Sequence, residues 1–461
     1  MTRTAGRRRA PILACLFLLV ALAGAACEEE PTPAPGPGPG PTNPTKLTFG
    51  VWGNEEEIAA YQEVVDTYNE SAETSEIQVR SWPDSESMVS ELEQGGRRPD
   101  LFLLSRRDLK QVLDEEQNTP LTELLDERGI DYGDGYSRDA LLGFSAADEL
   151  QCMPYDISPM VVYYNTELVD FDRMRERELL VPPIDPDTGE TSHASWNFEA
   201  FRVAAEFASR PRKGSKGVHV DPTLSGLAPF MYAGGGNVFD DETDPTSLAF
   251  SDEESRDALL PALELFRDPQ LTLTEEMLAE ATPVQWFERG KLGMLVGPRA
   301  LVPELRAVSD LEFDVMPIPV LDDAATIGDT TGLCISREAA SIAQTADFLV
   351  YLISSEAVSR VASAGYLVPA NLQVAVSDDF LQPDREPANA GVFNASIRNT
   401  RLPPLLDTWP ELELAVESSI GLLLSVPVLD DLEPLTIQID EQSRAVLDPE
   451  SVTESADPSS E

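Results

Sequence analysis

The residue whose type and setting best indicate a specific chemistry is Cys27, because its thiol stands where a lipid could be attached. Three arginines at positions 7–9 and an unbroken apolar run over residues 10–26 precede it. Three glutamates and a Pro/Gly/Thr-rich tract, together residues 28–45, follow it. A positive start, an apolar stretch and small residues before a cysteine are typical of a secreted lipoprotein precursor. The sequence therefore predicts that Cys27 becomes the first mature residue and takes a diacylglycerol.

Two other interpretations of this segment stay open. Gly24 stands three residues before Cys27, where lipoprotein signals usually carry leucine, so ordinary signal cleavage near Ala26 would leave a free or paired thiol. The apolar run could also be an uncleaved membrane helix, although it is short for one. We favour the lipoprotein because a Pro-rich tract directly after the cysteine suits a flexible tether. We expect a signal peptide over residues 1–26, a lipid-anchored linker over residues 27–45, and a location in the cell envelope, outside the cytoplasm and anchored to the membrane.

Few residues in the chain are arranged for catalysis. The two histidines, His193 and His219, stand in no recognisable motif, and the sequence contains neither a Gly-x-Ser-x-Gly elbow nor a His-Glu-x-x-His pair. We therefore predict that the protein is not an enzyme and has no metal site and no cofactor. Because carboxylates are abundant, a secreted polysaccharide-active enzyme that uses a carboxylate pair remains the alternative function.

The charge balance of the chain is strongly acidic. Its 461 residues include 82 Asp and Glu against 33 Lys and Arg, for a formal net charge of −49. Such a surface repels nucleic acid and anionic headgroups, so we expect no nucleic-acid partner. Residues 46–447 are too many for a single hydrophobic core and are typical of two domains. The polar residues 448–461 are expected to form a disordered tail.

The elements that must position any site alternate between strand and helix. In the first predicted helix, apolar residues follow a helical stripe, and Asn54 with Glu57 forms a candidate cap. This alternation predicts an α/β fold whose strands are joined by helical crossovers. Strands are predicted over residues 46–52, 77–82, 100–104, 150–165, 217–220, 292–296, 313–319 and 332–336, and helices over residues 55–70, 85–93, 197–209, 253–266, 283–289, 339–364 and 409–447.

Several short motifs occur in one order along residues 46–447. They are 47–53 (LTFGVWG), 95–102 (GGRRPDLF), 153–156 with 162–165 (MPYD and VYYN), 195–196 (SW), 233–237 (AGGGN), 287–294 (FERGKLGM), 346–349 (ADFL) and 364–369 (AGYLVP). In this order they resemble the bacterial extracellular solute-binding proteins of the carbohydrate-uptake class, of which the maltose-binding type is the best known. One departure is Arg299, which follows Gly297 and Pro298 where that family usually carries an aromatic residue.

The resemblance implies an α/β, two-lobe fold of the periplasmic-binding-protein type II, with an interdomain cleft and three crossovers between the lobes. Lobe one would comprise residues 46–154 and 320–362, and lobe two residues 155–319 and 363–447. A small-molecule solute, here a sugar or oligosaccharide, would lie in the cleft at the strand ends and be enclosed by a hinge motion. Such a protein would deliver its solute to the permease subunits of an ABC importer, and we expect it to be a monomer.

Residues at strand ends, crossings and glycine-rich turns are the candidates for contacting this solute, because a sugar needs aromatic faces and polar edges. Tyr155 and Asp156, at the first crossing, are the best candidates. A structural role stays open for the others, and Trp409 is interpreted as a packing residue. The full candidate set is Trp52, Glu55, Trp82, Arg106, Tyr155, Asp156, Gly235, Asn237, Arg299 and Tyr366.

The resemblance also bears on the two cysteines that follow Cys27. Cys152 would enter the first crossing, and Cys334 would lie in a strand that the family's topology brings near it. In an oxidising compartment we expect the two to form a disulfide near the hinge. Two separate buried thiols are the alternative.

Overall fold

The structure is a computed structural model that describes residues 43–184, 186, 191–425 and 432–451. The predicted signal peptide, Cys27 and nearly all of the linker therefore lie outside the described residues, as does the predicted tail from residue 452 onwards. Within the described part, no helix combines the length and the apolar character needed to cross a lipid bilayer.

The strands of the described residues fall into two main sheets and a small hairpin. The first sheet has the order β13-β12-β3-β1-β2, with β4 and β7 also paired to β12, and the second has the order β11-β8-β10-β9. β5 and β6 form the hairpin. The strands are β1 (Thr45–Trp52), β2 (Ser75–Trp82), β3 (Leu101–Ser105), β4 (Asn118–Thr119), β5 (Ser145–Ala146), β6 (Glu149–Leu150), β7 (Met153–Pro159), β8 (Val161–Asn165), β9 (Lys216–His219), β10 (Leu292–Gly297), β11 (Phe313–Met316), β12 (Thr326–Ser336) and β13 (Thr400–Arg401).

Helices pack on both sheets. In chain order they are α1 (Glu55–Ser71), α2 (Ser85–Glu93), α3 (Leu109–Asp114), α4 (Thr122–Asp126), α5 (Arg138–Gly143), α6 (Phe171–Glu176), α7 (Phe198–Ala208), α8 (Leu224–Ala233), α9 (Glu253–Phe266), α10 (Glu275–Glu280), α11 (Pro283–Glu288), α12 (Leu301–Arg306), α13 (Ile342–Leu352), α14 (Ser355–Ala362), α15 (Asp378–Leu381), α16 (Gly391–Ser396), α17 (Trp409–Ser425) and α18 (Glu433–Leu447). Short 3-10 turns occur at Arg106–Asp108, His193–Ser195, Pro211–Lys213, Val374–Val376 and Ile397–Asn399.

The first sheet brings the ends of its parallel strands to one edge. β1 pairs in parallel with β2 on one side and with β3 on the other, and α1 and α2 are the crossovers that parallel pairing requires. Leu47, Phe49 and Val51 of β1 are buried, since alternate side chains of a strand share a face. The carboxyl ends of these strands therefore deliver the residues that follow them to the same edge, where sites of α/β sheets usually lie.

The second sheet is covered on both faces. Along β8, Val161 and Tyr163 belong to one hydrophobic core, which is shared with the first sheet. Val162 and Tyr164 belong to a second core, which is built with α7, α8, α9 and α17. Because the side-chain period of a strand is two, one short strand supplies both cores.

The chain passes between the two halves at three places. β7 pairs with β12 in the first sheet through Pro159, and β8 then lies in the second sheet. Residues 317–325 lead from β11 of the second sheet to β12 of the first. After α14 the chain returns to the second sheet, where Phe393 of α16 contacts Tyr163 with ring centroids 6.1 Å apart. The lobe boundaries at residues 154, 320 and 362 remain predictions.

Cys152 and Cys334 are joined by a disulfide, with Cα atoms 4.4 Å apart. Both cysteines are fully buried. Cys334 lies in β12, and Cys152 directly precedes β7, whose Met153 pairs with Leu333. The bond therefore reinforces the strand pair at the first and second crossings, and it closes a loop of 182 residues in sequence separation.

Three acidic side chains lie close together at the first crossing: Asp156 of β7, Asp329 of β12 and Glu57 of α1. The backbone N–H of Val368 donates to the carboxylate of Asp156 at 2.6 Å, yet burial raises the pKa of Asp156, and the nearby charges of Asp329 and Glu57 raise it further. Burial alone raises the pKa of Glu57 to about 7. The Asp156 carboxylate thus acts as a structural acceptor that ties residue 368 to the crossing.

Loss of the disulfide should weaken the fold. In the Cys152→Ala/Cys334→Ala variant we expect the free energy of unfolding to fall by roughly 2–5 kcal/mol, because the unfolded chain regains the entropy of a long loop. Chemical denaturation measures the change. The matched control is a reductant: it should destabilise the wild type by a similar amount and leave the variant unaffected. A wild-type midpoint that does not respond to reductant would contradict the structure here.

The half-buried Glu57 should make stability depend on pH. Its folded pKa of about 7 lies above the ordinary value of 4.5, so between these values the folded state holds a proton that the unfolded state has lost. Stability should therefore fall as pH rises through this window, by up to about 3 kcal/mol. Glu57→Gln should flatten this slope in denaturation series between pH 4.5 and 7.5. Glu55→Gln, an exposed neighbour, is the control, and equal slopes in wild type and Glu57→Gln would refute the assignment.

Candidate functional site

Three adjoining cavities lie between the half built on the first sheet and the half built on the second. The outer chamber has a volume of about 450 Å³ and the inner chamber one of about 200 Å³, and both are lined by Tyr232 and Arg401. A third, small cavity adjoins both, since it shares Arg106 with the outer chamber and Trp409 with the inner one. Together they form one cleft.

The outer chamber is lined by polar side chains from both halves. Arg106 follows β3, Asp139 lies on α5, and Tyr232 closes α8. Beyond α8, Gly235 adopts a positive φ of 82°, which a glycine tolerates at no steric cost. The other residues of this wall are Leu142, Gly143, Gly236, Asn237, Glu242, Asp323, Thr400, Arg401 and Leu402.

Arg106 is held in place by backbone carbonyls. Its Nε donates to the carbonyl of Gly143 at 3.0 Å, and its Nη1 donates to the carbonyl of Pro403. Burial lowers the pKa of Arg106 to about 10, and the charge of Asp329 opposes that shift. The guanidinium is therefore charged at neutral pH and is fixed between the end of β3 and the segment that precedes α17.

The inner chamber has an aromatic wall that begins at Trp409. This residue is 7% exposed and lies against Phe239, with ring centroids 6.1 Å apart. The guanidinium of Arg107 lies over the Trp409 ring, 5.0 Å from its centroid, and 3.8 Å from Glu413. Arg107 follows β3 and Trp409 starts α17, so this contact joins the two sides of the cleft.

Tyr232 and Glu242 form a polar pair at the boundary of the chambers. The Tyr232 hydroxyl donates to Glu242 Oε1 at 3.0 Å. Burial raises the pKa of Glu242, although this hydrogen bond and the charge of Arg401 act in the opposite direction. A ligand hydroxyl placed here would find a carboxylate and a guanidinium side by side.

Three of the candidate residues lie together in the outer chamber: Arg106, Gly235 and Asn237. The backbone of Asn237 is fixed by Ser255, whose hydroxyl accepts from the Asn237 N–H at 3.0 Å and donates to its carbonyl at 2.9 Å. The Asn237 side chain is exposed, so its amide is available for hydrogen bonds in the chamber.

Four other candidates do not line these cavities: Trp52, Glu55, Asp156 and Tyr366. Trp52 is half-buried at the end of β1 and donates from Nε1 to the carbonyl of Leu103 at 3.1 Å. Glu55 is exposed in the first turn of α1. Tyr366 donates to Glu56 Oε2 at 3.3 Å. Their contact with a solute remains a prediction.

The expectation that Tyr155 faces the cleft is wrong. Tyr155 is 2% exposed, and its ring lies against Tyr61 of α1, with centroids 6.0 Å apart. Its hydroxyl is buried without a hydrogen-bond partner. Tyr155 lies at an irregularity of the ladder, where Thr331 pairs with Asp156 and Gly332 with Pro154, and its side chain packs in the first core.

The expectations for Trp82 and Arg299 are also wrong. Trp82 is 7% exposed in the first core and donates from Nε1 to Glu91 at 2.7 Å. Arg299 is 0% exposed, and its guanidinium lies between the rings of Phe380 and Phe393. Its Nε donates to the carbonyl of Gly365 at 3.1 Å. Burial lowers the pKa of Arg299 to about 10, so it is a buried structural cation rather than a cleft residue.

The arrangement suits binding of a polar, ring-shaped molecule. It combines an aromatic wall, guanidinium groups, carboxylates and an amide around adjoining cavities, which is the usual make-up of a small-molecule site. Among the residues that the structure describes, no cluster of three or more His, Cys, Asp and Glu side chains could hold a metal ion. Sequence reasoning missed Trp409, Arg107 and Tyr232, because nothing local marks them as cleft residues.

Comparisons with solved structures identify the fold. An ABC substrate-binding protein from Listeria monocytogenes, in complex with cycloalternan, matches with a TM-score of 0.72 at 17% identity, over 89% of this chain and 100% of that one. The sugar-binding protein MalE from Xanthomonas citri matches with a TM-score of 0.71 at 14% identity, over 90% and 100% of the two chains. The GacH receptor of Streptomyces glaucescens, solved unliganded and with acarbose, matches with a TM-score of 0.68 at 15% identity, over 88% and 99%. These matches confirm the predicted two-lobe α/β fold.

Comparison of the sequence with protein families agrees with the fold. No sequence match was found among curated proteins. The model of the family described as bacterial extracellular solute-binding protein matches residues 63–388, which is most of the chain. This chain therefore belongs to the bacterial extracellular solute-binding proteins.

Proposed function

We propose that this protein captures a sugar or oligosaccharide outside the cytoplasm and delivers it to an ABC importer. The observation that carries the proposal is the cleft, whose chambers are lined by polar and aromatic side chains from both halves of the molecule. The structurally similar proteins from Listeria, Xanthomonas and Streptomyces are described as binding cycloalternan, as sugar-binding and as binding acarbose. The family and the chemistry of the cleft thus both support the capture of a sugar.

The side chains of the outer chamber match what a saccharide presents. Its hydroxyls need both donors and acceptors, which Arg106, Asn237 and Glu242 supply. Its apolar C–H faces need an apolar partner, which Leu142 and Leu402 of the same chamber supply. Each polar group that stays buried without a partner would cost about 1–3 kcal/mol, so such a site discriminates by the placement of hydroxyls.

Ligand capture would proceed by closure of the lobes. Arg106 and Asp139 belong to the half built on the first sheet, whereas Tyr232 and Asn237 belong to the half built on the second. A solute that touches both sets stabilises the conformation in which they lie close together. The three crossings are the segments that would bend.

The membrane anchor and the permease complete the proposal. A diacylglycerol on Cys27, followed by the Pro/Gly-rich linker, would hold the binding body near the importer while it stays free to close. The alternative of a polysaccharide-active enzyme is not favoured, because the matching family and the structurally similar proteins are described as binding proteins.

Saccharides should stabilise the purified protein against heat. We expect the melting temperature to rise in the presence of at least one member of a panel of mono-, di- and oligosaccharides, since a ligand at 100 times its Kd adds about 2.7 kcal/mol to the stability of the folded state. Thermal unfolding with and without each sugar gives the measurement, and chromatography of the sugar afterwards shows that it is unchanged. A panel without any stabilising member, or release of a cleaved product, would refute the proposal.

Asn237→Ala should weaken the binding of that sugar by roughly fivefold to tenfold, because a hydrogen bond to a ligand hydroxyl contributes about 1 kcal/mol. Titration calorimetry measures the loss. Asn394→Ala, the same change on α16 away from the chambers, is the matched control and should bind as the wild type does. Equal affinities in both variants would remove Asn237 from the site.

A further inference from the structure

We propose that the inner chamber receives an apolar group attached to the sugar, so that the preferred solutes are glycosides with an aryl or alkyl aglycone. This inference rests on the proposed function, because the sugar itself would occupy the outer chamber. In this arrangement the outer chamber recognises the hydroxyls of the sugar, and the inner chamber holds the hydrophobic group.

The walls of the inner chamber are mainly apolar. Met160, Leu224, Ala228, Val238, Phe239 and Ile327 line it. They come from the first crossing, from α8 and the loop that follows it, and from the start of β12. Contact with such a wall favours apolar groups, because removing their surface from water is favourable.

The hydroxyl groups around the inner chamber already have hydrogen-bond partners. The Ser158 hydroxyl accepts from the N–H of Arg299 at 3.3 Å, and the Ser225 hydroxyl donates to Glu413 at 3.1 Å. The Tyr232 hydroxyl donates to Glu242, as described above. Each of these hydroxyls therefore has less hydrogen-bonding capacity left for the hydroxyls of a sugar ring.

Two charged residues of this chamber are engaged as well. The Arg107 guanidinium lies on the Trp409 ring and near Glu413. Asp329 accepts from the N–H of Thr330 at 2.8 Å and lies 3.4 Å from the Ser105 hydroxyl. A sugar ring in this space would find few free partners for its hydroxyls, whereas an apolar group needs none.

The size and position of the inner chamber fit one ring or a short alkyl chain. Its volume of about 200 Å³ exceeds the volume of about 150 Å³ at which a dry apolar cavity holds benzene. Tyr232 and Arg401 line both chambers, so a glycosidic bond could lie at their boundary with the sugar on one side and the aglycone on the other.

Matched methyl and phenyl glycosides test the inference. Both anomers of the glucosides, galactosides, mannosides and xylosides would be titrated by calorimetry into the purified protein. For the sugar that binds, we expect the phenyl glycoside to bind at least tenfold more tightly than the methyl glycoside. Equal affinity of the two would overturn the inference and leave sugar capture intact, whereas binding of neither kind of glycoside and of no free sugar would overturn both proposals.

Filling the inner chamber provides the second arm. Ala228 lies on α8, is buried and faces the chamber, so Ala228→Leu should bring the ratio of phenyl to methyl affinity close to one. Ala228→Val, which adds less volume, should lower the ratio of phenyl to methyl affinity by an intermediate amount. It replaces Ala228→Leu in the test if that variant does not fold. A tenfold preference for the phenyl glycoside that persists in the folded variants would place the aglycone elsewhere and overturn the inference.

Discussion

The antiparallel pairing of β12 with both β3 and β7 is the interaction on which the two-lobe arrangement depends. β7 carries the chain from the first sheet to the second, and β12 later returns it, so their ladder holds two of the three crossings side by side. The disulfide between Cys152 and Cys334 reinforces this ladder in the buried interior. At the other end of β12, Asp329 stands between the cleft and the acidic crossing, close enough to influence the pKa values of both Arg106 and Asp156. β12 therefore links the crossings between the lobes to the cleft.

The cleft shows how a chain with a net charge of −49 keeps cations at its centre. Arg106 and Arg107 follow β3 directly, and each has lost water on one side and gained a specific partner: backbone carbonyls for the first, an indole ring and a carboxylate for the second. Guanidinium groups tolerate this because they are weakly hydrated and planar. The same property allows Arg299 to be buried away from the cleft, between the rings of Phe380 and Phe393.

The likeness to the Listeria and Xanthomonas proteins, at 17% and 14% identity, shows a shared fold. Fold alone does not define a solute. The division of this cleft into a polar outer chamber and an apolar inner chamber is a property of the side chains of this chain, and it is what distinguishes our inference about aglycones from the broader proposal of sugar capture.

Local patterns in the sequence determined the elements and the fold class. The helix predicted over residues 253–266 is α9 (Glu253–Phe266), and Asn54 caps α1 by accepting from the N–H of Glu57 at 3.0 Å, because both signals act between neighbours in the chain. The strand predicted over residues 332–336 instead runs over Thr326–Ser336: its first half, which contains Gly328 and Asp329, has no apolar pattern and becomes a strand through pairing with β7. Only tertiary structure decided which polar and aromatic residues face the cleft. Tyr155 packs against Tyr61, and Arg299 lies by the rings of Phe380 and Phe393. Trp409 reaches the cavity through the packing of α17. In each case the direction of the side chain depends on contacts between segments far apart in sequence.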